Sequence, residues 1–140
     1  MSNKSSRRRF LVQSAGGVAA ISTVGTALVA CGGGSTSRAE FKYGVASGDP
    51  LTDRVILWTH AKFPNSNDFV FLTWQVSTSK TFDTLVSTGT VVSTADTAFT
   101  NKVDVTGLSA GTTYYYRFLD PVRTSSPVGT TRTLPAMSET

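Results

Sequence analysis

Gly107-Leu108-Ser109-Ala110-Gly111-Thr112-Thr113-Tyr114 is the stretch that decides the fold. Leu108 leads the turn, Ser109-Ala110-Gly111 supplies turn residues, and a tyrosine closes the stretch just as an alternating run begins. Turn chemistry directly before such a run predicts a corner between two strands. The phenol of Tyr114 is expected to bond back to the backbone of that corner, satisfying a group that burial would otherwise leave unpaired. The run itself, Tyr114-Tyr115-Tyr116-Arg117-Phe118, places Tyr114, Tyr116 and Phe118 on one face and Tyr115 and Arg117 on the other. A stacking platform for sugars or bases needs its rings together on one exposed face, and this alternation splits them.

Outward from the corner, short β-rich runs predict strands near residues 41–46, 55–59, 69–77, 85–92, 102–105, 113–119 and 129–133. Gly48-Asp49-Pro50, Pro64-Asn65-Ser66-Asn67, Ala95-Asp96-Thr97 and the corner itself separate them. No helical period is convincing after residue 40, apart from a possible turn over 79–84. About seven strands in about a hundred residues is the pattern of an all-β sandwich of the immunoglobulin or fibronectin type III kind, with Leu108 and Tyr114 forming its tyrosine corner. Val70, Leu72, Trp74 and Val76 are expected to face the core. In the 55–59 run, Ile56 and Trp58 compete with Val55 and Leu57 for the interior. Trp58 is expected inward, because a large ring can fill the space between two sheets packed about 10 Å apart.

The chain has 140 residues, one domain's worth at most. Its net charge of +4 belongs to the N-terminus, where Lys4, Arg7, Arg8 and Arg9 stand; from Cys31 onward, nine Lys and Arg balance nine Asp and Glu. A neutral body argues against nucleic acid as a partner, since that requires a basic face on the folded part. One cysteine excludes an intramolecular disulfide, and one cysteine with one histidine excludes a Cys/His zinc site.

Residues 1–30 read as an export leader: a basic start, an apolar middle from Phe10 to Ala30, then a processing site. The apolar part is diluted by Gly, Ser, Thr and Gln, which suits a leader better than a spanning helix of about 20 strongly apolar residues. Ser6-Arg7-Arg8-Arg9-Phe10-Leu11 resembles the twin-arginine export consensus, with Arg7 and Arg8 as the pair followed by Phe10 and Leu11; Val12 stands where a lysine is common. Leu28-Val29-Ala30-Cys31 resembles a bacterial lipobox, whose chemistry needs a thiol at the first mature position and small residues before it. Gly32 to Thr36 follow as a flexible segment, and 31–40 is read as the tether. The expected partners are therefore the twin-arginine translocase and, through a lipid on Cys31, a membrane. The expected location is periplasmic or at the cell surface.

Phe41-Lys42-Tyr43-Gly44-Val45-Ala46-Ser47-Gly48-Asp49-Pro50 with Val55-Ile56-Leu57-Trp58-Thr59 closely resembles the opening of alkaline phosphatase D (PhoD-type) enzymes. Tyr114 to Phe118 and Ser126 to Pro135 resemble the end of the same N-terminal domain, so the resemblance covers 41–135; His60 departs from it, standing where the family usually has arginine. The resemblance implies phosphomonoester or phosphodiester hydrolysis in the full-length family, with an iron and calcium centre in a larger metallophosphatase domain beyond the Thr-Leu-Pro segment. Residues 136–140 then read as the start of the linker to that missing catalytic domain. None of the family's catalytic or metal-binding residues has a matching position here. The accessory role this implies contrasts with an alternative, a free-standing surface lipoprotein whose fibronectin-like module binds a glycan or a protein.

Two local features invite a metal reading. Gly48-Asp49-Pro50-Leu51-Thr52-Asp53 resembles the Gly-Asp-x-x-Asp motif of metallophosphatases, but the spacing is one residue too long; a Pro-containing turn explains it. His60, at a strand end, reads as a solvent-facing or capping residue.

Overall fold

Alternation along the central strands sorts the side chains between one core and two outer faces. A computed structural model describes residues 37–137, all within one compact unit, Gly34–Thr140. Seven strands form in the order β1 (Val45–Gly48), β2 (Arg54–His60), β3 (Val70–Ser77), β4 (Leu85–Ser93), β5 (Thr100–Thr106), β6 (Thr113–Leu119) and β7 (Gly129–Arg132). A single 3₁₀ turn, Ala95–Thr97, lies between β4 and β5. The strands make a three-stranded sheet, β1-β2-β5, and a four-stranded sheet, β4-β3-β6-β7, and each strand pair within them is antiparallel. This is the all-β sandwich expected from the strand spacing.

Val55, Leu57, Val70, Leu72, Val76, Val105, Tyr114, Tyr116 and Phe118 form the heart of the core and are all essentially inaccessible to solvent. The core cluster draws only on residues from Ala39 to Phe118, so the sandwich carries its own interior. Val70, Leu72 and Val76 point inward; Trp74 shares their face but is only partly buried, packed against the core's rim. Its ring lies across its β4 partner, Gly89.

Three expectations are corrected. Trp58 is not an inward residue: Val55, Leu57 and Thr59 take the interior positions of β2 with no exposed surface, Ala61 just beyond it is equally buried, and alternation sends Ile56, Trp58 and His60 to the outer face. Thr59 is accommodated inside because its hydroxyl donates to the Gly44 carbonyl at 2.9 Å. The first strand starts at Val45, not at residue 41. Residues 41–44 instead make a turn, closed by the Gly44 N–H donating to the Phe41 carbonyl, with Gly44 at φ +68°. The tether ends before residue 40: Ala39 is buried with its N–H on Asp120 Oδ2 at 2.9 Å, and Glu40 exchanges backbone hydrogen bonds with Lys62.

Candidate functional site

The corner residues come together as a knot at one end of the sandwich. Tyr114 is buried, and its phenol oxygen accepts the Ser109 N–H at 2.9 Å; Leu108, also buried, donates its N–H to the Asp53 carbonyl. Thr133 completes the knot, donating its hydroxyl to the Ser109 carbonyl at 2.6 Å and accepting the Thr112 N–H at 3.0 Å. Sequence reading missed Thr133, because a hydroxyl's partners so far along the chain leave no local pattern. Arg7, Arg8, Phe10, Leu11 and Cys31 lie outside the described residues.

The Asp49–Asp53 loop is a structural turn. Leu51 N–H donates to the Arg54 carbonyl, and Asp49 is exposed with φ +48°. Arg54 reaches Asp53 at 3.3 Å and Asp104 at 3.5 Å. Asp53, then Asp104, holds the Arg54 guanidinium above its ordinary pKa. Arg54 and Asp104 line a shallow depression of about 470 Å³ with Asp49, Pro50, Leu51 and Ile56. The loop does not fit a two-metal centre: Asp53 is turned to Arg54, and His60 stands at the opposite end of β2. Among the described residues there is no group of three or more His, Cys, Asp and Glu side chains that could hold a metal ion.

His60 lies on the outer face but is packed between rings rather than free in solvent. It is half-buried and packs edge-on between Tyr43 at 5.0 Å and Phe99 at 6.4 Å, centroid to centroid. Lys42 lies 5.6 Å from the Tyr43 ring and Lys62 lies 5.2 Å from the Phe99 ring. The Nδ1 atom of His60 is buried and makes no hydrogen bond. Beneath this row, Asn101 donates to Ser93 Oγ at 2.9 Å and to the Phe99 carbonyl at 3.2 Å, while Ser93 donates to the Ala61 carbonyl at 2.7 Å. Sequence reading missed the row because its members come from three separate segments.

On the four-stranded sheet, Tyr115 is half-buried under Lys80, 5.4 Å from its ring. Arg117 donates to Gln75 Oε1 at 2.9 Å and stacks 4.1 Å from the centre of Phe82.

Comparison with known proteins places this sandwich. The family model described as the PhoD-like phosphatase, N-terminal domain, matches residues 26–135. Alkaline phosphatase D of Bacillus subtilis is 35% identical over 146 aligned positions, which cover 96% of this chain and 25% of the relative. The chain thus spans about a quarter of that relative's length. A solved structure of PhoD overlays with a TM-score of 0.66 at 37% identity, covering 72% of this chain and 20% of that one. The sensor domain of the anti-sigma factor RsgI4 from Pseudobacteroides cellulosolvens overlays with a TM-score of 0.50 at 14% identity, covering 72% of this chain and 99% of that one, a likeness of fold alone. With the family model matching most of the sequence and the same family's structure overlaying the described strands, the chain belongs to the PhoD-like phosphatase N-terminal domain family.

Proposed function

We propose that this sandwich is the non-catalytic N-terminal domain of an exported alkaline phosphatase D-type phosphoesterase. The observation that carries the reading is the extent of the family match: an N-terminal-domain model accounts for residues 26–135, essentially the whole folded part. In this reading the chemistry of phosphate ester hydrolysis, with its iron and calcium, belongs to a catalytic domain. The sandwich packs beside that domain and shapes access to it. The leader, with Arg7 and Arg8, routes the protein through the twin-arginine translocase, and Cys31 receives the lipid.

The test is an assay of the purified 140-residue chain on chromogenic phosphate monoesters and diesters, with iron and calcium added singly and together. No turnover above buffer is expected. Turnover that disappears when a residue of this chain is changed overturns the non-catalytic role.

A further inference from the structure

The Lys42–Tyr43–His60–Phe99–Lys62 row lies at one edge of the three-stranded sheet. There β1 begins, β2 ends and β5 begins, since Val45 pairs with Thr59 and His60 with Thr100. The chain also joins the sandwich at this edge, through the Glu40–Lys62 backbone pair. Trp58 extends the row inward along the same outer face, set between Ala46 and Lys102 in the neighbouring strands. Tyr43 is 63% exposed and Lys42 and Lys102 are exposed, while Phe99 is buried as the floor.

The backbone holds this arrangement at a cost. Ala98 and Phe99 both have positive φ, +51° and +58°, a conformation that a bulky residue rarely adopts. It persists because the Phe99 N–H donates to the Thr94 carbonyl at 2.8 Å and the Phe99 carbonyl accepts the Ala61 N–H at 3.0 Å. Strained non-glycine residues held by surrounding bonds concentrate at functional positions.

We infer that this row is a face that rests on an anionic lipid surface. Amphipathic aromatic rings and lysines with long stems are the side chains that settle at headgroup level, and lysines next to an anionic leaflet add electrostatic attraction. Lys42, Lys62 and Lys102 outnumber Glu40, whose backbone pairs with that of Lys62 at the same edge, and Asp96 in the turn before Phe99. The inference rests on the proposed lipid at Cys31 for its biological setting. Seven residues separate Cys31 from Ala39, where the chain joins the sandwich, so a lipid on Cys31 would keep this edge within reach of the bilayer. The acyl group supplies the attachment, and the row sets which way the domain faces.

The face can be tested without the anchor, on residues 32–140, which contain the whole core and lack both Cys31 and the basic leader. The probe is sedimentation with vesicles of phosphatidylcholine with and without phosphatidylglycerol. Fluorescence of Trp58 in a Trp74→Phe background reports contact. Binding is expected only with phosphatidylglycerol, with a blue shift of Trp58. Lys42→Gln and Lys62→Gln should each weaken it roughly fivefold. Lys80→Gln, in the β3–β4 turn beside the other sheet, should leave it unchanged. No binding to anionic vesicles overturns the face, as does equal weakening by Lys80→Gln, which would mark diffuse charge attraction. Fatty-acid labelling of the full chain reads the anchor separately, so failure at Cys31 and failure of the face are distinguishable results.

Discussion

The ring of Tyr116 occupies the place where its β7 partner, Gly129, would carry a Cβ: an added methyl would sit 2.2 Å from Cζ and 2.6 Å from the phenol oxygen. Trp74 does the same to Gly89, with its ring 2.5 Å from the corresponding position. Both pairs use a glycine in a strand to let a cross-strand aromatic lie flat, the close approach that glycine in a sheet interior often marks. The two differ in freedom. Tyr116 is enclosed by the core and its phenol meets Ser47, whereas Trp74 is only partly buried at the rim.

Gly129→Ala is therefore expected to destabilise the domain by about 1–3 kcal/mol, the usual cost of overpacking a filled interior. Gly89→Ala should cost less, because the Trp74 ring can swing toward solvent. Urea unfolding of both variants checks the order; equal costs would show that Tyr116 also has room to move.

Tyr114 should matter more than its neighbour Tyr115. Tyr114→Phe removes the acceptor of the Ser109 N–H and should cost about 1–3 kcal/mol, toward the lower end because Ser109 is at the surface. Tyr115→Phe should stay within about 0.5 kcal/mol, since its ring contact with Lys80 survives. Equilibrium unfolding compares them, and a larger loss at Tyr115 would contradict the observed faces of β6.

Leu57→Ala should cost about 2–5 kcal/mol as a cavity in the core, and Trp58→Ala less than half of that. Thermal or urea unfolding measures both. This pair also shows what the sequence made legible. In β3 and β6 polar residues interrupt the apolar ones (Thr73, Gln75 and Arg117, with Phe71 and Tyr115 the exceptions), so Val70, Leu72 and Val76, and Tyr114, Tyr116 and Phe118, could be assigned inward from pattern. In β2 the run Val55-Ile56-Leu57-Trp58 is apolar on both faces, and the polar Thr59 sits at an inward position. The deciding hydrogen bond, from Thr59 to Gly44, joins segments whose approach no local pattern announces. The Tyr43–His60–Phe99 row was hidden for the same reason. Its rings meet only after β1, β2 and β5 pair, and Phe99 is aimed by a positive φ that an Ala-Phe dipeptide does not advertise.

In the proposed leader, export and anchoring are expected to be separable. Lys substitution of both Arg7 and Arg8 should hold the protein in the cytoplasm, because lysine cannot reproduce the paired guanidinium groups; cell fractionation follows it. Cys31→Ser should leave export intact but abolish incorporation of labelled fatty acid. Normal export of the double lysine variant would point to the general secretory route, and equal labelling of Cys31→Ser would exclude that cysteine as the acceptor.

Alkaline pH should unfold the domain partly through Tyr116. Burial raises its pKa above the ordinary value of 10.0, and the hydrogen bond with Ser47 opposes the shift without cancelling it. The folded state thus holds the phenolic proton more tightly than the unfolded chain does. Below pH 10.0 the phenol is protonated in both states and the native contacts are fully kept. As pH rises beyond that value, the unfolded chain ionises first, so it binds fewer protons and stability falls. Tyr116→Phe removes this titration and should flatten the decline, at some loss of stability near neutrality from the missing Ser47 contact. Unfolding midpoints measured from neutral to strongly alkaline pH for the two proteins check it. A decline of equal steepness in both would show that other groups, not Tyr116, govern alkaline unfolding.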